Sequence, residues 1–156
     1  MQPRMKSPAF VVEGAMAALQ ALGAAVHQGG VPLRTIELVH LRTSQINGCS
    51  VCVDIHSRSL KHMNETPERL AAVAVWREAP YFDEAERAAL ALAEALTRLV
   101  DRPEAVTDAI WAEARRHYEE PALAALVLAI AANNMWNRLN AATRQVSGAW
   151  TEGLAA

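Results

Sequence analysis

Two cysteines and a histidine stand at helical spacing in the segment Cys-Ser-Val-Cys-Val-Asp-Ile-His. Cys49 and Cys52 are three residues apart, and Cys52 and His56 are four apart. On one helix these offsets bring the three side chains to a single face. A thiolate attacks peroxides and disulfides, a second nearby thiol captures the oxidised sulfur, and a histidine transfers protons. The spacing therefore predicts thiol redox chemistry.

The helix that must position these groups is predicted to begin at the first cysteine. Asn47-Gly48 directly precedes it and is typical of a left-handed helix end. A new helix from about residue 49 to 62 would then hold both cysteines in its first turn. There, unpaired backbone N–H groups and the positive end of the helix dipole favour a thiolate.

Two other interpretations of the cysteine pair remain open from the residues alone. A zinc site would use the pair and His56, with His62, His40 or Glu37 as the fourth ligand. Structural zinc sites usually draw further ligands from a second compact Cys/His cluster, which this sequence lacks. The thiols could instead fill the core, but a helix break just before them disfavours this. We expect neither a metal nor a cofactor.

Composition indicates a helical protein and excludes some partners. Hydrophobic residues make up 52% of the 156 residues, and the excess is mostly Ala and Leu, which favour helices over strands. A net charge of −2 and a pI near 6.2 give no electrostatic footprint for nucleic acid or an anionic membrane. The longest apolar run, 122–132, is too short to cross a bilayer.

The cysteine count and the N-terminal residues indicate a cytoplasmic protein. Two cysteines three residues apart do not form the framework of a secreted disulfide scaffold. Glu13 and Gly14 interrupt the first apolar stretch, so no signal peptide is expected.

Periodicity and capping signals predict a single all-α domain over 1–156, with a core of about 7–145. Helix starts are expected at Ser7-Pro8, at Thr66-Pro67, at Asp83 with Glu86 three residues on, and at Thr107. Six or seven helices are predicted, covering about 7–26, 33–46, 49–62, 67–77, 83–99, 107–117 and 121–142.

A family resemblance follows from a fourth residue. Glu37 precedes Cys49 by twelve residues, and Ser-Gln-Ile-Asn occupies 44–47. The pattern of Glu37, Cys49, Cys52 and His56 resembles the carboxymuconolactone decarboxylase family, in particular its alkylhydroperoxidase D (AhpD)-like branch. The likeness extends through 76–77, 82–87 and 136–140. Without it, Glu37 would be read as an ordinary charge on a solvated helix face.

The resemblance implies an AhpD-like helical bundle and roles for four residues. Cys52 would attack a small organic hydroperoxide, Cys49 would resolve it to a Cys49–Cys52 disulfide, and His56 would relay protons with Glu37. A thioredoxin-like or lipoyl-linked donor would reduce the disulfide, in a homo-oligomer (trimer or hexamer). One departure is Val51, which stands where the best-known alkylhydroperoxidase has a second histidine.

Two further functions stay open beside this peroxidase. One is a non-catalytic oligomeric redox-sensing protein, which the valine between the cysteines leaves room for. The other is a carboxymuconolactone decarboxylase-like enzyme that uses His56 without the thiols.

Several residues outside the motif are also expected to matter. His40 and Ser44 share a helix face with Glu37, and a structural role is favoured for them. Asn133 and Asn134 interrupt an apolar helix, so their amides should hydrogen-bond across a helix or subunit interface. Most aromatic residues are expected in the core or an interface. The resemblance places the helix of Trp136 beside the active site.

Overall fold

The computed structural model describes residues 2–100 and 103–148, which contain helices and no strand. The α-helices are α1 (Pro8–Val11), α2 (Ala15–His27), α3 (Leu33–Asn47), α4 (Ser50–His62), α5 (Pro67–Ala72), α6 (Glu84–Thr97), α7 (Asp108–His117) and α8 (Glu120–Thr143). A short 3₁₀-helix, Val73–Val75, follows α5. The predicted all-α class is confirmed.

The first predicted helix is divided in two. Gly14 lies between α1 and α2 with φ of +76°, a left-handed conformation that glycine adopts without steric cost. A helix cannot continue through such a residue, so the chain turns there. This break raises the number of α-helices in the described ranges to eight. The helix expected over 67–77 is also shorter, because it tightens into the 3₁₀-helix after Ala72.

Three helix starts are capped as their sequences predict. The Thr66 hydroxyl accepts the Arg69 N–H at the start of α5, and the Thr107 hydroxyl accepts the Ile110 N–H at the start of α7. Asp83 and Glu86 form both hydrogen bonds of a capping box at the start of α6. Ser7 occupies the position before α1, but its side chain makes no capping hydrogen bond.

Helix α3 is the central element and packs against α4, α6 and α8. Ile36 and Val39 belong to an apolar cluster shared with α6, α7 and α8. Leu38 and Leu41 belong to a second cluster shared with α4, the 3₁₀-helix and α6. Since α3 is held on both sides, the polar residues between these apolar positions are fixed in place. Glu37 is one of them.

Within 2–100 and 103–148, no helix is long and apolar enough to cross a lipid bilayer.

Candidate active site

The junction between α3 and α4 forms as the Asn-Gly pair predicts. Gly48 ends α3 with φ of +67°, and Cys49 is the N-cap of α4. The Cys49 sulfur accepts the backbone N–H of Cys52 at 3.3 Å. The two cysteines are joined as a disulfide, with their Cα atoms 5.3 Å apart. Both sulfurs therefore lie in the first turn of α4, where the helix dipole favours negative charge.

One turn further along α4, His56 meets Glu37 of α3. His56 Nδ1 lies 2.9 Å from Glu37 Oε2, and both side chains are largely buried. Burial alone would raise the pKa of the Glu37 carboxyl. The hydrogen bond and charge of His56, with smaller contributions from His40 and Ser59, outweigh this effect and bring that pKa below its usual value. Glu37 is therefore a carboxylate that accepts a hydrogen bond from Nδ1 of His56.

A cavity of about 500 Å³ opens beside this pair, between α2, α3, α4 and α8. Cys52, His56 and Glu37 line it, whereas Cys49 does not. Its apolar walls include Phe10, Met16, Leu19, Ile55, Met135 and Trp136. The two cysteines are thus unequal, because Cys52 borders the space that a small molecule would occupy and Cys49 does not.

Helix α8 supplies two amides that touch the predicted site residues. The Asn140 Nδ2 donates to the Cys52 sulfur at 3.3 Å. The Asn133 Oδ1 lies 3.3 Å from His56 Nε2, while its Nδ2 donates to the His40 carbonyl oxygen at 2.8 Å. That carbonyl can only accept, so the orientation of the Asn133 amide is determined and its oxygen faces His56.

The hydrogen bonds predicted for the asparagine pair of α8 run to α3 of the same chain. Asn133 Nδ2 also donates to Ser44 Oγ at 3.1 Å, and Asn134 Oδ1 accepts from Asn47 Nδ2 at 2.9 Å. Asn140 was not singled out from the sequence, although it lies in the stretch 136–140 that carries the family resemblance. Its contact with Cys52 joins residues 88 positions apart, which no local spacing reveals.

His40 lies in the same polar group, although the sequence favoured a structural role for it. Its ring centroid is 4.8 Å from that of His56. Its Nε2 is 3.2 Å from the Ala129 carbonyl oxygen, and its Nδ1 is 4.0 Å from Glu37 Oε1. Burial, reinforced by repulsion from His56, lowers the pKa of His40 to about 3, so the ring is neutral near pH 7.

These contacts combine a cysteine that lines the cavity with a hydrogen-bonded His–Glu pair and an amide donor. Such a set can hold a thiolate, move a proton to or from it, and capture its oxidised form with a second sulfur. The sulfurs are joined to each other, and His62, one of the candidates for a fourth zinc ligand, is exposed. The arrangement thus does not resemble a cysteine-ligated zinc site.

Comparison with known proteins identifies the family. The model of the carboxymuconolactone decarboxylase family matches residues 13–95, more than half of the chain. The chain belongs to this family. The match includes α2 to α4 and thus all four residues of the Glu37, Cys49, Cys52 and His56 pattern. The resemblance inferred from those residues is confirmed at the level of the family.

Individual relatives and structures agree with this assignment. The uncharacterised protein YdfG of Bacillus subtilis (strain 168) is 36% identical over 115 residues, which are 74% of this chain and 77% of YdfG. A solved protein of unknown function from Agrobacterium tumefaciens, with a suggested role in antioxidant defence as AhpD, is 32% identical. It has a TM-score of 0.86 over 94% of this chain and 98% of that one. The debrominase Bmp8 in its apo form is 25% identical, with a TM-score of 0.75 over 85% of this chain and 70% of Bmp8. The AhpD-like fold is confirmed.

Proposed function

We propose that the protein is a thiol-dependent peroxidase that reduces small organic hydroperoxides through a Cys49–Cys52 dithiol/disulfide cycle. The observation that carries the proposal is the position of Cys52. Cys52 lines the cavity beside the His56–Glu37 pair, and Cys49 is close enough to form a disulfide with it. The suggested antioxidant role of the Agrobacterium protein supports the same chemistry.

In the first half of the cycle, the Cys52 thiolate attacks the terminal oxygen of the hydroperoxide. A sulfur–oxygen bond forms and the oxygen–oxygen bond breaks, so sulfur is oxidised and the peroxide is reduced. His56 protonates the departing alkoxide, which leaves as an alcohol, and Glu37 stabilises the charged imidazole. Cys52 becomes a sulfenic acid.

In the second half, the Cys49 thiolate attacks the Cys52 sulfur. A sulfur–sulfur bond forms, the sulfur–oxygen bond breaks, and hydroxide leaves with a proton as water. A dithiol donor, thioredoxin-like or lipoyl-linked, then reduces the disulfide by exchange and becomes oxidised itself. The proposal includes a cytoplasmic setting, in which such donors are kept reduced, and a homo-oligomer (trimer or hexamer).

The decisive experiment compares peroxide consumption by the wild type, Cys52→Ser and Cys49→Ser with cumene hydroperoxide and a dithiol reductant. Cys52→Ser should lose thiol-dependent turnover. Without reductant, Cys49→Ser should consume about one equivalent and then accumulate a Cys52 sulfenic acid, which dimedone traps for mass spectrometry. Full activity in Cys52→Ser would contradict the assignment of the attacking residue.

The same variants separate the two other functions. A redox-sensing protein would turn over peroxide slowly and would change oligomer size when oxidised; Val51 is the feature that leaves room for this behaviour. A decarboxylase-like enzyme would process a carboxymuconolactone with both cysteines replaced by serine, and would lose that activity in His56→Gln.

A further inference from the structure

Glu37, His40 and His56 converge at one side of the cavity, apart from the disulfide sulfurs. One ligand atom from each lies within 4.8 Å of the others. The carboxylate stands between the two rings, with Oε2 2.9 Å from His56 Nδ1 and Oε1 4.0 Å from His40 Nδ1. The nitrogen of each ring that approaches the carboxylate is therefore Nδ1.

The opposite nitrogen of each ring is held by an oxygen of α8. His40 Nε2 is 3.2 Å from the Ala129 carbonyl oxygen, and His56 Nε2 is 3.3 Å from Asn133 Oδ1. Since these oxygens only accept hydrogen bonds, Nε2 carries the proton in both rings. The neutral His40 ring then presents its Nδ1 lone pair towards Glu37, and His56 can do the same once the proton that its Nδ1 shares with Glu37 has left. Histidines that bind metals generally have this arrangement, in which the other N–H donates to a carbonyl or carboxylate oxygen.

The Nδ1 atom of His40 is the second observation that points to a ligand. It is buried and has no hydrogen-bond partner within the described part of the chain. Buried polar atoms of native proteins nearly always have a partner. The proposed peroxide chemistry does not use this nitrogen, and helix packing does not account for it.

We propose that Glu37, His40 and His56 form a binding site for a divalent transition-metal ion such as Zn²⁺. Two imidazole nitrogens and one carboxylate are a ligand set that zinc and cobalt accept, whereas calcium and magnesium prefer oxygen ligands alone. Three protein ligands would leave a coordination position open for a ligand from the cavity, which is lined by all three residues. This site differs from the cysteine-ligated zinc site considered from the sequence, because neither sulfur takes part.

The metal site goes beyond the proposed peroxidase and shares two of its residues. A metal ion and the proton that joins His56 Nδ1 to Glu37 occupy the same space, so each excludes the other. Zinc is therefore expected to slow peroxide reduction. Binding itself does not depend on turnover, so it can be measured even if the proposed function is wrong.

The test uses the full chain in its oxidised form, in which the disulfide removes both thiolates as ligands. Zn²⁺ is titrated by isothermal calorimetry near pH 7 in a buffer that does not chelate. One ion should bind per chain, and His40→Gln should bind it roughly tenfold or more weakly. Glutamine keeps a donor for Ala129 but removes the free nitrogen. His62→Gln, an exposed histidine on α4, is the matched control and should bind as the wild type does.

Two further measurements keep the outcome clear if His40→Gln folds poorly. Co²⁺ added to the oxidised wild type should give visible d–d absorption without a thiolate charge-transfer band. The Cys49→Ser/Cys52→Ser double variant should bind Zn²⁺ as tightly as the wild type, although the proposed peroxidase would be inactive. Absence of binding by the oxidised wild type, equal affinity in a folded His40→Gln, or loss of binding in the double variant would overturn the metal site.

Discussion

At the level of single residues, the site combines groups from two distant parts of the chain. Glu37, Cys49 and His56 lie within twenty residues, whereas Asn133 and Asn140 come from α8. The local residues position the two sulfurs and the His56–Glu37 pair. The amides of α8 hold Nε2 of His56 and supply a donor to the Cys52 sulfur.

Replacing Asn140 tests whether its amide stabilises the reactive sulfur. In reduced protein, Asn140→Leu removes a hydrogen bond to a thiolate, an interaction worth about 1.5–3 kcal/mol. We expect a smaller thiolate fraction at neutral pH and alkylation of Cys52 by iodoacetamide roughly tenfold slower or more. Both proteins compared should carry Cys49→Ser, so that Cys52 is the only cysteine that reacts. Equal alkylation rates with and without Asn140→Leu would show that the contact does not act on the thiolate.

The sequence predicted these residues unevenly, and the reason is distance along the chain. Cys52 and His56 share a helix, so a spacing of four residues was enough to place them together. Glu37 needed the family pattern, because its contact with His56 crosses two helices. Asn133 was recognisable as an amide in an apolar helix that required a partner. Asn140 has no local spacing to the other site residues and does not interrupt an apolar run as Asn133 does. It can be recognised as a site residue only when the packing of α8 against α4 is known.

At the level of helices, Glu94 of α6 joins α6, α3 and the segment after the 3₁₀-helix. Its carboxylate is 5% exposed and accepts Arg42 of α3, the indole N–H of Trp76 at 3.0 Å, and Arg77. Burial alone would raise the pKa of Glu94, but the hydrogen bonds from Arg77, Trp76 and Arg42 bring it below its usual value. Its contribution to folding is therefore present near neutral pH and is lost as the pH falls through that lowered pKa.

Glu94→Gln should lower the free energy of unfolding by about 3 kcal/mol at pH 7, because it removes the negative charge paired with Arg42 and Arg77 and replaces one acceptor oxygen with an NH₂ donor. The difference from the wild type should shrink at a pH below the lowered pKa, where the wild-type carboxyl is itself protonated. Urea denaturation followed by circular dichroism at several pH values measures both effects. Glu113→Gln is the control, since Glu113 forms ion pairs on the exposed surface of α7 and should matter little. A difference that stays constant with pH would contradict the role of charge.

A close approach between the α2–α3 connection and α8 gives a second prediction about the helices. A Cβ on Gly29 would lie 2.1 Å from Ala125 Cβ and 3.2 Å from the Pro121 carbonyl oxygen. Gly29→Ala should therefore force the helices apart and destabilise the protein by about 1–3 kcal/mol, measured as a lower midpoint of urea denaturation. Gly23→Ala, inside α2 with nothing within 4 Å of its Cβ, should be neutral or stabilising by up to about 1 kcal/mol. Equal stability of the two variants would contradict the close approach.

The helix-level predictions succeeded where the signal is local. The Asp83 and Glu86 capping box needs only four residues, and Thr107 caps α7 through its own neighbours. The break at Gly14 was missed because apolar residues resume directly after Glu13 and Gly14. A glycine inside a helical pattern is compatible both with a continuous helix and with a break. Only the backbone conformation of the glycine distinguishes the two.

At the level of the whole molecule, α1 and α2 leave an apolar surface facing outwards. Val11 and Val12 are 56% and 61% exposed, and the outer side of α2 exposes five alanines, Ala17, Ala18, Ala21, Ala24 and Ala25. Large exposed apolar surfaces usually mark contacts with other proteins or membranes. The sequence could not predict this surface, because it showed an apolar helix without showing which side stays uncovered.

We propose that the homo-oligomer assembles through this α1–α2 surface. Val12→Glu places a charge in the centre of such a contact and should shift the protein towards monomer, measured by size-exclusion chromatography with light scattering. Val75→Glu is the matched control, because Val75 is 62% exposed and lies on the 3₁₀-helix outside the surface. A wild type that is monomeric, or an assembly unaffected by Val12→Glu, would contradict this contact.

The cavity also has a consequence for the order of the reaction. Both cysteines are buried, and of the two only Cys52 lines the cavity. A peroxide and a reductant would thus both reach Cys52 through this cavity and would compete for it. In the proposed cycle this predicts a double-displacement scheme, in which the first product leaves before the second substrate enters. Reciprocal rate plots should then be parallel lines, and a large excess of either substrate should inhibit.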